Sequence, residues 1–148
     1  MKKYLLASLA LALCTTQVWA GGPFDTFRGS KSGSGKVTPV ATGTPERTTC
    51  NRTGTPNGTR LTLNISCASK NAPIKLSCTF SHTGGSVSGR CHESVNGVGI
   101  SFYGSLANGS ITGVGKTIVS SATISFTPDG MSLDSANARV IRSLRVRF

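Results

Sequence analysis

The chain has 148 residues, with 16 lysines and arginines against 5 aspartates and glutamates, a formal net charge of +11 at pH 7. That length suits one domain. So few acidic residues leave little material for the paired carboxylates of a hydrolase, and after the first twenty residues no segment is long and apolar enough to cross a bilayer as a helix.

Residues 1–20 read as a signal peptide. Lys2 and Lys3 form a positive start, and Leu5 to Leu13 is apolar except for Ser8 but too short to span a membrane. Val18-Trp19-Ala20 then leads to a cleavage point after Ala20. Cleavage removes Lys2, Lys3 and Cys14, leaving fourteen basic and five acidic residues, a balance of +9. The expected location is a bacterial periplasm, with secretion to the medium as the alternative. A positive field of this size favours anionic envelope partners such as lipid head groups, lipopolysaccharide or acidic glycans. A protein partner is the other expectation, and no specific nucleic acid is expected.

Residues 21–36 (GGPFDTFRGSKSGSGK) are a Gly/Ser-rich lead-in segment or a first edge strand, with Phe24 and Phe27 able to dock on the domain that follows. Residues 37–148 read as a single β domain. Leu61, Leu63, Ile65 and Cys67 share one face of a strand by period 2, as do Ile74, Leu76, Cys78 and Phe80. Val98, Ile100, Phe102 and Leu106 form the next apolar face, and Ile118, Ala122, Ile124 and Phe126 another. The last strand places Val140, Leu144, Val146 and Phe148 inward, opposite Ile141, Ser143, Arg145 and Arg147. Turn signals separate these runs: Asn57-Gly58, Gly84-Gly85, Asn96-Gly97, Asn108-Gly109 and Asp129-Gly130. The pattern predicts an all-β fold, a small antiparallel up-and-down barrel of about eight to ten strands, because closure removes the edges. A two-sheet sandwich is the alternative.

Four cysteines remain after cleavage, an even number that suits an oxidising compartment. Cys50 and Cys67 flank the Asn57-Gly58 turn, and Cys78 and Cys91 flank Gly84-Gly85. The symmetry predicts Cys50–Cys67 and Cys78–Cys91 bridges.

Phe27-Arg-Gly-Ser-Lys-Ser-Gly-Ser-Gly-Lys-Val37, Glu46-Arg47 with Cys50, Cys67-Ala-Ser69, Gly84-Gly-Ser-Val-Ser-Gly89 and Gly97-Val-Gly together resemble a group of small exported Gram-negative proteins. That group has no assigned function and a lipocalin-like β-barrel. The resemblance implies the barrel and no functional residue. Lys31 stands where the group usually has an aromatic residue, and so does Arg90-Cys91 near the later hairpin.

Motifs for chemistry are sparse. Gly113-Val-Gly-Lys-Thr117 lacks the first glycine of a phosphate-binding loop, since Ser110 stands there, and Ile118 to Phe126 reads as a strand where that loop needs a helix. His92-Glu93 lacks the second histidine of a zinc-protease motif, because Asn96 occupies its place. Those two residues and His82 supply too few ligands for a metal site, and no Gly-x-Ser-x-Gly elbow is present. No catalytic residue, metal or cofactor is therefore expected. The most distinctive feature is a row of arginines, Arg139, Arg142, Arg145 and Arg147, whose planar forks suit phosphate and carboxylate. The expected function is a cell-envelope binding module for an anionic or lipid-like ligand or surface. The alternative is a non-catalytic interaction protein, such as an inhibitor of a secreted enzyme.

Overall fold

A computed structural model describes residues 21–148; the expected signal peptide lies outside the described residues. Ten antiparallel strands follow in chain order: β1 (Gly29–Pro39), β2 (Glu46–Asn57), β3 (Arg60–Ala68), β4 (Ile74–Thr83), β5 (Ser86–Glu93), β6 (Val98–Ala107), β7 (Ser110–Lys116), β8 (Ser121–Thr127), β9 (Gly130–Asp134) and β10 (Ile141–Arg147). Each pairs with its sequence neighbours, and β1 pairs with β10, so the sheet closes into a barrel with no edge strand. The sandwich alternative is excluded.

Alternation builds the wall. In β2 and β3 every second residue is buried, without exception in β3. Apolar side chains fill the interior, and Ser, Thr, Lys and Arg dominate outside. Both predicted disulfides are present, Cys50–Cys67 and Cys78–Cys91. Each joins directly paired residues on the inner face of neighbouring strands, with Cα atoms 4.1 and 4.0 Å apart.

The two ends of the barrel differ. At one end the hairpins are tight, and Asn108 and Gly109 both take positive φ, 50° and 73°, as the tightest turns require. This end is plugged. A short 3₁₀ turn, Asp25–Phe27, lies across it with Phe24 and Phe27 fully buried. The Phe27 carbonyl sits against Gly54 of β2, where any Cβ would collide with it. Phe80, Phe102 and Phe126 pack together beyond the plug in edge-on and tilted contacts, with ring centroids 5.3 to 6.3 Å apart. The other end carries the longer loops, residues 40–45, 69–73, 94–97, 117–120 and 135–140.

Three expectations shift. The domain does not begin at residue 37: half of the Gly/Ser-rich lead-in, from Gly29 on, is strand β1, as the first-strand alternative expects, but it closes the barrel and is not an edge. Its Gly35 lets the Arg145 carbonyl of β10 approach where no side chain fits. Strand β8 starts at Ser121, and Ile118 projects fully into solvent from the loop before it. In β10 the period holds from Ser143 to Arg147 and breaks before it. Thr38 pairs with Ser143 and Pro39 with Ile141, so Arg142 is an extra residue, and Val140 lies outside the strand. Pro39 sits at this irregularity, where a missing N–H is tolerated.

Candidate ligand-binding site at the open mouth

The loops of the open end are held by polar contacts specific to each. Glu93, at the end of β5, is 9% exposed and accepts hydrogen bonds from the backbone N–H groups of Lys75 (3.2 Å), Val95 (3.0 Å) and Asn96 (2.8 Å). The Asn96 side chain donates a further one at 3.0 Å. Burial pushes the Glu93 pKa up, but these donors outweigh it and hold the carboxyl below its ordinary value. Glu46 binds the backbone and side chain of Asn71 at 2.8 and 2.7 Å, and the Asn71 N–H lowers its pKa. Thr117 Oγ1 accepts from the N–H groups of Val119 and Ser120 at 3.2 and 2.9 Å. Ser135 Oγ donates to the Ser121 carbonyl at 2.7 Å.

Between these loops an apolar cavity of about 300 Å³ opens into the barrel. Its lining comes from β4 to β10 and their loops: Ile74, Leu76, Cys91, Val98, Ile100, Ala122, Ile124, Met131, Leu133, Val140, Ile141 and Leu144. Along β4, β6 and β8 the next inward positions beyond Cys78, Ile100 and Ile124 are Phe80, Phe102 and Phe126, so the aromatic trio fills the barrel below the residues that line the cavity. Two charged residues reach the lining, Glu93 and Arg139. Glu93 is committed to its four donors. Arg139 is exposed on the rim, and no hydrogen bond or ion pair engages its side chain among the described residues.

The row of arginines predicted from the sequence is therefore dispersed. Arg139 stands at the mouth, Arg142 at the bulge beside Asp134 and Ser143 in an outer groove, and Arg145 and Arg147 on the outer wall. Arg145 is paired with Asp134 at 2.6 Å. The histidines do not meet: His82 packs edge-on against Phe24 with centroids 6.1 Å apart, and His92 is exposed on β5. Among the described residues no three His, Cys, Asp or Glu side chains group at metal-binding spacing. Lys116 ends strand β7 and a turn follows, not the helix that a phosphate-binding loop needs.

One charged side chain went unread in the sequence. Arg52 on β2 is 1% exposed, inside the barrel near the plug. Its guanidinium lies 5.7 Å from the ring centroids of both Phe27 and Phe148, and none of its nitrogens bonds to a protein acceptor. Burial lowers its pKa, with the Asp129 carboxylate opposing. Asp129 itself is bound by Lys31, which lowers its pKa.

The chain matches no protein-family description, and no curated protein matches it.

Proposed function

We propose that this protein is an exported, non-catalytic binding module of a bacterial envelope, and that it holds an anionic, lipid-like ligand in the open mouth of its barrel. The observation that carries this reading is the pairing of an apolar cavity with one uncommitted cation on its rim. Ligand pockets of about 300–1,000 Å³ are mostly apolar with a few placed polar groups, and this cavity stands at the lower end of that range, the size for a single short chain. The tail would lie among Ile100, Ile124, Leu133 and Leu144, and the acidic head would meet Arg139. The plug supports the same reading, since a barrel closed at one end and open at the other offers a pocket, not a channel.

Two disulfides in so small a domain are compatible with an oxidising, extracytoplasmic compartment. Among the described residues no helix is long and apolar enough to cross a membrane. Native mass spectrometry of protein purified from a bacterial periplasm tests the proposal. A co-purifying small amphiphile, released on denaturation and absent from an Ala122→Phe variant that fills the cavity, supports it. A protein that stays empty and instead co-purifies with another protein would move the assignment to an interaction protein.

A further inference from the structure

The outer wall holds an arrangement of like charges that costs stability and is only partly offset within the chain. Lys36 of β1 faces Arg47 of β2 on one side and Arg145 of β10 on the other, each in directly paired register. All three point outward, and Arg147 follows two residues along β10 on the same face. Neighbouring strands lie about 4.8 Å apart, so the band is about 10 Å wide. Like charges directly opposite one another on a sheet are destabilising. Asp134 offsets Arg145 alone; among the described residues no carboxylate lies within ion-pairing distance of Lys36, Arg47 or Arg147.

We propose that this three-strand cationic strip is a docking surface for an anionic lipid membrane, whose headgroup phosphates supply the missing countercharge. Charge complementarity is one argument and shape the other. A convex barrel wall meets a plane along a few adjacent strands, which is the width of this strip. Beside Lys36, Arg145 and Arg147 a shallow basin runs on from the strip across β9 and β8, lined by Ser34, Ser125, Thr127 and Ser132, short hydroxyl side chains that let headgroups approach and donate to phosphate. None of the large exposed apolar residues lies on β1, β2 or β10, so contact stays at headgroup level without insertion. The strip lies on the wall and not in the mouth, so this inference stands or falls apart from the ligand reading.

The test is co-sedimentation of the mature protein with vesicles of phosphatidylcholine alone and of phosphatidylcholine mixed with phosphatidylglycerol, at low and at physiological salt. Each basic residue near an anionic surface contributes about five-fold to partitioning. The Lys36→Glu, Arg147→Glu double variant should therefore lose at least about 25-fold in binding to the anionic vesicles. The same charge change placed across the barrel, Arg90→Glu with Lys116→Glu, should leave most of the binding in place. Lys36→Glu alone should also melt at a higher temperature, because it turns two repulsions into attractions, so lost binding cannot be ascribed to unfolding. Ala122→Phe, which fills the mouth, should bind vesicles as the parent does. Equal losses in the two double variants, or no preference for anionic vesicles, would overturn the proposal. So would tighter binding to heparin or polyphosphate than to vesicles, which would replace the membrane with a soluble polyanion.

Discussion

The guanidinium of Arg52 lies 5.7 Å from the centroid of the Phe148 ring, so the last residue of the chain closes over a buried charge. Phe27 covers the same group at the same distance from the plug. Two aromatic faces attract a cation, by about 2 kcal/mol or more when desolvated, yet they do not replace the hydrogen bonds that water gives five N–H donors. Desolvating a charge without a hydrogen-bonded partner costs several kcal/mol. Arg52→Met, apolar and of similar length, should raise stability by about 1–3 kcal/mol in chemical denaturation. A loss of stability would mean that Arg52 is held by more than the two rings.

The plug should be worth more than its length suggests. Phe27 is fully buried, and truncating a buried phenylalanine costs about 3–5 kcal/mol. Phe27→Ala should therefore destabilise the barrel by that amount, read as a shift of the denaturation midpoint with unchanged slope. An effect below about 1 kcal/mol would show the segment is only loosely docked.

The disulfides close loops with sequence separations of 17 and 13 residues. A loop of about fifteen residues is worth about 3 kcal/mol in the chain-entropy view. Replacing either pair by alanines should cost about that much, and replacing both about 6 kcal/mol, a large part of an ordinary domain's stability. Thermal melts with and without reductant measure it directly.

The open end should loosen first in acid. Glu93 and Glu46, which hold the loops of the open end, both have pKa values lowered in the folded protein. For a lowered pKa, the contribution to stability is complete above the unfolded value, 4.5 for the two glutamates, and is lost as pH falls through the folded value. Stability should be flat at neutral pH and decline below about 4.5. Glu93→Gln should remove part of that decline while costing about 1–3 kcal/mol at pH 7, since the carboxylate's bonds are charge-assisted. Hydrogen exchange at Val95 and Asn96 would report the loosening locally, and equal exchange in parent and variant would contradict it.

Much of this barrel was legible as rhythm. Leu61 to Cys67 and Ile74 to Phe80 alternate so regularly that their inward faces follow from period 2 alone, and the cysteines pair because they share that phase across a turn. Arg52 was legible by the same rule, since it stands in phase with Cys50 and Gly54, but a charged residue among inward positions reads as outward unless the phase is trusted over the chemistry. Arg142 shows the opposite limit. Its place depends on an extra residue opposite Pro39, and a one-residue slip reverses every face upstream of it. The role of β1 was hidden because Gly33 and Gly35 are chosen for close approach to β10, which leaves no apolar pattern to read. The mouth arises from loops that meet only when the sheet closes.

Calorimetric titration of the mature protein with a single-chain anionic amphiphile, a fatty acid or an alkyl phosphate, tests the central claim most directly. Burying about eight methylenes contributes about 6 kcal/mol, and an added charge-assisted bond to Arg139 of about 2 kcal/mol brings the dissociation constant near 1 μM. The account predicts micromolar binding that is abolished by Ala122→Phe and weakened about 30-fold by Arg139→Ala. Binding unchanged in both variants, or none in the parent protein, would contradict it.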